Sequence, residues 1–255
     1  MSLPVTMMNH QKIWMRRKIK MINKTKRLMV SRSVKIARKE HFWAATPTSG
    51  RHSKEDSVPL LIVMRDYLKH GDKEREITRM LNNGLVKVDG KVVKNRRTAL
   101  GFLDVISIDS LKLYYRILFD NKGRLIVLPE DEKNSTLKPK KVTNKITVTG
   151  GKTQLVFNDG ENLITEEKGI STGDVVLMKL PEKKIDQVLK MQPGNKAFLT
   201  GGEHVGSIGT IKKIEIKESS GKNLIHFEEG FTTVSDYAFV VGSPKYTFHL
   251  PGGEQ

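Results

Sequence analysis

The 255-residue chain has no cysteine, which removes disulfide frameworks and thiolate-ligated zinc or iron–sulfur centres from consideration. It has no apolar run approaching the roughly 20 residues that cross a bilayer, and its amino-terminal stretch is too charged for a signal-peptide core. A soluble intracellular protein with no membrane partner is therefore expected. Histidines are few and scattered, at 10, 41, 52, 70, 204, 226 and 249, without paired ligand spacing. A phosphate-binding loop is missing too: Gly151-Lys152-Thr153 has Ile146 where the first glycine belongs, and a strand pattern follows it. Gly201, Gly202, Gly206 and Gly209 do not fit a dinucleotide fingerprint. No metal and no cofactor is expected.

The most informative scarcity is local. Residues 1–54 hold a single acidic side chain, Glu40, against 14 lysines and arginines, so this arm carries +13 of the formal net charge of +17. Such a balance points to a polyanion, and nucleic acid suits it better than a membrane because no basic amphipathic helix stands out. A free segment of this composition repels itself and cannot offset its chain entropy, so it is expected to order only against phosphates. Lys24, Lys26, Arg27, Arg32, Lys35, Arg38 and Lys39 alternate with single apolar residues in a way that suits a strand of chain laid on RNA. The linker that follows, residues 41–52, has a proline, glycine and serine content that predicts no regular structure. Its Trp43 is expected to pack beneath the next module, the alternative being a stack on a base.

Residues 58–108 read as helix, helix, hairpin, strand. Pro59 can open a helix whose apolar positions are Leu60, Leu61, Met64, Tyr67 and Leu68; Gly71 can end it in a left-handed cap; and Asp72 can cap a second helix built on Ile77, Met80 and Leu81. Asp89-Gly90 supplies the positive dihedrals of a tight hairpin turn between Val86–Val88 and Lys91–Val93. The run 101–108 then reads as a strand. Farther on, strand patterns flank Asp120-Asn121-Lys122-Gly123 and recur at 146–148, 154–157 and 175–180, while 129–141 reads as an exposed polar loop. From 198 to 216 the pattern is a strand, a glycine loop and a second strand.

These residues carry a resemblance. The two short helices, Val86-Lys87-Val88-Asp89-Gly90-Lys91-Val92, and Gly101-Phe102-Leu103-Asp104-Val105-Ile106-Ser107-Ile108 resemble the S4-type RNA-binding domain of the archaeal and eukaryotic ribosomal protein S4e family. The linker is similar at Trp43, Ala44, Pro47, Gly50 and His52, and departs at Thr46, Ser49 and Arg51. Asp120, Lys122-Gly123-Arg124, Gly173-Asp174 and Gly194-Asn195 match the family's central domain. Residues 198–211 look like the KOW motif of small SH3-like barrels, with Gly206 as its hallmark and Ser207 where a basic residue is usual; 239–242 and 250–253 resemble the family's closing strand and tail. The resemblance runs from about residue 24 to 253, and the several methionines before it leave the true start open.

What the resemblance implies is an α+β, mostly β protein in four parts: a basic arm and linker (1–57), an S4-type αα-hairpin module (58–110), a central β domain (111–194) and a carboxy-terminal SH3-like KOW barrel with its tail (195–255). The implied role is structural, in the cytoplasmic small ribosomal subunit, supporting translation, with ribosomal RNA and neighbouring ribosomal proteins as partners and no homo-oligomer. The expected RNA contacts are the seven arm cations above with Arg51, His52 and Lys54; Arg65, Lys69, Lys91, Arg96 and Arg97, which should line one basic face; and Gly206, Lys212 and Lys213. Two rivals remain: a non-ribosomal factor carrying a KOW module, and a pseudouridine synthase. The second needs a nucleophilic aspartate after Arg-Leu, and Arg124-Leu125 is followed by Ile126. No catalysis is expected.

Overall fold

The structure, a computed structural model, describes residues 24–250 apart from 149, 168, 219–220, 244–245 and 249. The first part of the expected arm and the end of the tail, with His10 and His249, therefore lie outside the described residues. Those described are mostly β with a few short helices.

The chain enters through β1 (Lys24–Lys26), which pairs antiparallel with β2 (Trp43–Ala45). The expected absence of regular structure in the linker is thus corrected: Ala44 and Thr46 are buried, and the Thr25 and Thr46 hydroxyls meet at 2.7 Å. Then β3 (Val58–Pro59) leads into α1 (Leu60–Ile62), which continues as a π turn over Val63–Tyr67. Leu60, Leu61, Ile62, Val63 and Met64 are all buried. The helix ends at Lys69 (φ +55°), not at Gly71, whose φ is not positive. The second helix, α2 (Glu74–Asn82), is capped by Glu76 rather than Asp72: its carboxylate accepts the N–H of Asp72 at 2.9 Å and of Lys73 at 3.2 Å, satisfying donors that no helical carbonyl reaches.

The hairpin forms as the sequence predicts. Between β4 (Lys87–Val88) and β5 (Lys91–Val92), Asp89 and Gly90 take φ +49° and +75°. After β6 (Ala99–Leu100), which pairs with β3, comes a departure: residues 101–104 form a turn with Leu103 at φ +65°, and only β7 (Val105–Ile108) is strand. β8 (Leu113–Phe119) and β9 (Leu125–Pro129) extend the same sheet, in the order β5-β4-β7-β8-β9. The division expected after residue 110 therefore falls inside one continuous sheet.

A second sheet follows the short helix α3 (Glu132–Ser135). Its centre is β10 (Leu137–Thr147), flanked by β11 (Thr153–Phe157), β12 (Asn162–Thr165), β13 (Val175–Lys179) and β14 (Lys184–Leu189) in the order β12-β11-β10-β13-β14. The exposed loop expected at 129–141 is corrected by this strand. Pro139 is tolerated because over 137–141 the strand pairs with β13 and meets β11 only from Val142 onward. The third sheet runs β18-β17-β16-β15-β19-β20, from β15 (Lys196–Leu199), β16 (Ile208–Glu215), β17 (Leu224–Phe227), β18 (Thr232–Val234), β19 (Ala238–Ser243) and β20 (Tyr246–Thr247).

Phe102 joins these sheets. Its ring stacks on Phe119 at 5.3 Å and on Phe198 at 5.4 Å and meets Phe239 edge-on at 5.3 Å. Each such aromatic contact contributes about 0.5–1.5 kcal/mol beyond the burial itself, so the first module and the last share one core.

Candidate nucleic-acid interface

The charges divide into an inner and an outer set. The inner set is built around β10, whose alternation puts Lys138 and Lys140 on one face. Lys138 Nζ lies 2.5 Å from Asp104 Oδ1 and 2.7 Å from Asp89 Oδ2; Lys140 Nζ lies 2.7 Å from Asp159 Oδ2 and 2.5 Å from Glu161 Oε2. Arg51 pairs with Asp89, and His52 Nε2 stands 2.9 Å from Asp104 Oδ2. Four lengths of chain, the linker, the β4–β5 hairpin, the 101–104 turn and the β10–β11 region, are thereby tied at one buried point. The aspartates also hold backbone: Gly101 N–H donates to Asp104 at 2.9 Å and Val105 N–H to Asp89 at 3.0 Å.

Burial alone would raise the Asp104 carboxyl, but the Lys138 ammonium, then His52 and Arg51, outweigh it and hold it well below the usual carboxylate range. Burial also opposes the ionised form of Glu161, yet Lys140 and Lys183 pull that group down to about 2. Burial works against the Lys138 ammonium too; Asp104, Asp89 and Asp159 more than compensate and raise it. The signs give a pH window. Depressed carboxylates contribute stability above their unfolded values, near 4, that is lost as pH falls toward 2; the raised lysine contributes stability that is lost as pH climbs past its unfolded value, near 10.4. Thermal melting followed from pH 7 down to 2.5 should show a steep loss below about pH 4, and a flat profile there would contradict this network.

Many predicted RNA contacts belong to this inner set or to similar ties. Arg27 is 4% exposed, with Nε donating to the Ala37 carbonyl at 2.5 Å and its guanidinium 3.8 Å from both Glu40 and Asp66. Arg38 donates to the carbonyls of Leu28, Val30 and Ser31. Arg65 is bidentate on Asp66, Arg96 pairs with Glu74 at 2.7 Å, and Arg97 Nε donates to the Thr46 carbonyl at 2.9 Å. His52 lies against Gly101, where an added Cβ would stand 2.4 Å from its ring. Apart from Arg65, whose partner is its sequence neighbour, these guanidinium and imidazole groups tie together residues that are apart in the chain, which the sequence does not display.

The outer set is made of exposed Lys26, Arg32, Lys35, Lys39, Lys54, Lys69, Lys91, Lys212 and Lys213, while Lys24 lies in β1. Lys35, Arg65 and Lys69 come together with His41 around a cleft of about 600 Å³ between the arm and the end of α1. Lys54 and Arg97 line a second cleft along the linker, and Lys91 a third beside Lys183. Of the five cations expected on one face, Arg65 and Lys69 thus share a cleft, Arg97 and Lys91 line two others, and Arg96 is paired with Glu74.

The described part of the arm, from residue 24 onward, is docked on protein, contrary to the expectation that it orders only against phosphates. Val34 is buried in the cluster that contains Leu60, Ile77 and Ile106, its neighbour Ser33 accepts the Leu125 N–H at 2.7 Å, and the Lys35 N–H donates to the Tyr67 hydroxyl at 2.8 Å. Trp43 is half exposed rather than packed beneath the module.

Gly206 also has a structural explanation. It takes φ +84°, and an added Cβ would stand 2.8 Å from the Asp120 carbonyl carbon and the Asn121 nitrogen. The glycine loop therefore rests on the β8–β9 turn. Gly206→Ala should cost about 1–3 kcal/mol by overpacking against backbone and leave RNA affinity of the folded fraction unchanged, as denaturant unfolding alongside filter binding would establish.

Three further aspartates have partners within the fold: Asp104 in the buried network, Asp109 with Lys87 at 2.5 Å, and Asp120 accepting the Asn121 N–H at 2.8 Å. Among the described residues no helix is long and apolar enough to cross a membrane.

Comparison with known proteins gives consistent likenesses. Ribosomal family S4e matches residues 111–185. The small ribosomal subunit protein eS4 of Thermoplasma volcanium is 58% identical over 234 residues, spanning 92% of this chain and 99% of that protein. The protein of the same name from Methanothermobacter thermautotrophicus is 41% identical over 220 residues, 85% of this chain and 90% of that one. The crystal structure of the 30S ribosomal protein S4e from Thermoplasma acidophilum superposes with a TM-score of 0.68 at 47% identity, covering 76% of this chain and 99% of that chain.

Proposed function

The chain belongs to the S4e family of ribosomal proteins, and from that premise we propose that it is a structural, non-catalytic constituent of the small ribosomal subunit that binds ribosomal RNA. The observation that carries the mechanism is the division of charge. Asp89, Asp104, Asp159 and Glu130 are turned inward onto Lys138, Lys140 and Arg116, whereas the lysines of the outer set face solvent. Those four carboxylates are neutralised inside the fold, and the exposed lysines, several of them in the nearly acid-free arm, present a positive field to a phosphate backbone. Register comes from the rigid body that carries them, as expected where RNA is read by shape.

Within this reading α1, α2 and the β4–β5 hairpin act as an S4-type RNA-binding module whose sheet is completed by β7–β9. β10–β14 form the central domain, and β15–β19 act as a KOW-type SH3-like barrel whose outward contribution is Lys212 and Lys213 rather than Gly206. The contacts are Lys26, Arg32, Lys35, Lys39, Lys54, Lys69, Lys91, Lys212 and Lys213. The partners are small-subunit ribosomal RNA and neighbouring ribosomal proteins, in the cytoplasm, with the protein entering as one copy. Sedimentation of the tagged protein through a high-salt sucrose cushion tests the role. Retention with small subunits is expected, and quantitative release into the free fraction would favour a transiently bound factor.

A further inference from the structure

Four exposed apolar side chains flank the β1–β2 ribbon: Leu28 and Met29 on the turn after β1, and Phe42 and Trp43 at the start of β2, all at least half exposed. Scattered surface apolar residues need no explanation, but a cluster with two aromatic rings marks a contact surface. Tyr237, the other exposed aromatic side chain among the described residues, lies over Gly201, where an added Cβ would stand 2.6 Å from its ring.

The ribbon holds the two rings in place. Lys26 pairs with Trp43 in the strand register, the Arg27 N–H donates to the Phe42 carbonyl at 2.9 Å, and the Arg38 guanidinium ties down the loop between the strands through the Leu28, Val30 and Ser31 carbonyls. The rings meet edge to face, centroids 4.7 Å apart at 88°, both keep at least half of their surface exposed, and Lys26 Nζ stands 5.6 Å over the Phe42 ring. Around them, residues 24–43 carry seven basic side chains and one acidic.

We propose that Phe42 and Trp43, flanked by Lys26, form a stacking platform on which an unpaired base of single-stranded RNA lies against one ring and meets the other edge-on. Planar exposed rings, a cation beside them and a strongly positive surround are what single-strand binding requires, since every base offers a face to stack and its phosphate needs neutralising. The charge argues against an aliphatic protein partner. The inference rests on the RNA-binding reading above and adds a second mode to it, contact with bases instead of phosphates.

The full chain carrying Trp14→Phe has Trp43 as its one tryptophan. Titrated with a single-stranded oligouridylate, its emission should be quenched; a duplex RNA of the same length should bind without quenching. Phe42→Leu and Trp43→Leu should each weaken oligouridylate binding roughly tenfold. The slope of log affinity against log salt, the duplex affinity and the melting temperature should not change. Binding of both RNAs at parental strength by the leucine variants, with no quenching in the Trp14→Phe chain, would overturn the platform and assign the patch to a protein neighbour, leaving the phosphate reading intact. Parallel loss of both RNAs with a lowered melting temperature would overturn it as well, by making the rings structural. Failure of the parent chain to bind either RNA would instead bring down the RNA-binding reading on which the platform rests.

Discussion

Asp104→Ala is expected to destabilise the protein by about 3–5 kcal/mol, the scale set by removing one partner from a buried ion pair. The side chain is fully buried, and its two oxygens serve three groups: Lys138 Nζ at 2.5 Å, His52 Nε2 at 2.9 Å and the Gly101 N–H at 2.9 Å. Alanine leaves Lys138 buried with Asp89 at 2.7 Å and Asp159 only at 3.8 Å, and leaves the Gly101 donor without its acceptor. Against a total stability of about 5–15 kcal/mol, that loss brings the chain close to unfolding. Urea unfolding should show a much lower midpoint at an unchanged slope. Asp104→Asn, which keeps an acceptor for Gly101 but not the charge, should fall between. Asp109→Ala provides the contrast: its pair with Lys87 is exposed, so it should cost about 0–1 kcal/mol. Equal effects of Asp104→Ala and Asp109→Ala would mean that the buried network contributes nothing particular to stability.

The same residues mark the boundary of what could be read from the sequence. Asp89-Gly90 was legible because a tight hairpin is a local event, decided by which residues tolerate positive φ, and its two neighbours supply the alternation. α1 was legible in part, because helical spacing is local: Leu60, Leu61 and Met64 are buried as the spacing predicts, but Ile62 and Val63, outside that set, are buried as well. Lys138-Pro139-Lys140-Lys141 was not, and reads as loop, because lysine and proline are depleted from strands when nothing else is known. What makes it a buried strand is the set Asp89, Asp104, Asp159 and Glu161, brought from as far as 49 positions away, together with the carbonyls of Ser235, Asp236 and Ala238 that receive Lys141 on the other face. The candidate interface divided along the same line. A count of basic residues located the arm but could not separate Arg27 and Arg38, consumed by carbonyls and carboxylates of the fold, from Lys35 and Lys39, which face solvent. The arginines went inward more often than the lysines, consistent with a planar guanidinium that satisfies several fixed acceptors at once while an ammonium stays hydrated. Family resemblance supplied the function, yet nothing local in the sequence shows that Gly206 is seated on the Asp120-Asn121 backbone.

Changing Lys26, Arg32, Lys35, Lys39 and Lys54 together to glutamine is expected to remove a large part of the salt dependence of RNA binding. If each of the five contacts one phosphate of a duplex, the slope of log affinity against log salt should become shallower by roughly 4.5, at about 0.9 per contact. All five side chains are exposed, so the melting temperature should hardly move. Deleting the arm is a poorer test, because the segment is part of the fold. Loss of Val34 alone uncovers a core position worth about 1.5–3 kcal/mol, removal of Ser33 and Lys35 takes hydrogen-bond partners from the Leu125 N–H and the Tyr67 hydroxyl, and removal of Arg51 and His52 takes partners from the buried Asp89 and Asp104. A deletion that abolished binding could therefore reflect unfolding, whereas the glutamine variant separates charge from structure. Should its slope match that of the wild type while the protein stays folded, the phosphate contacts lie elsewhere. Lys91, Lys212 and Lys213, exposed on the β5 and β16 strands, would then be the next side chains to neutralise.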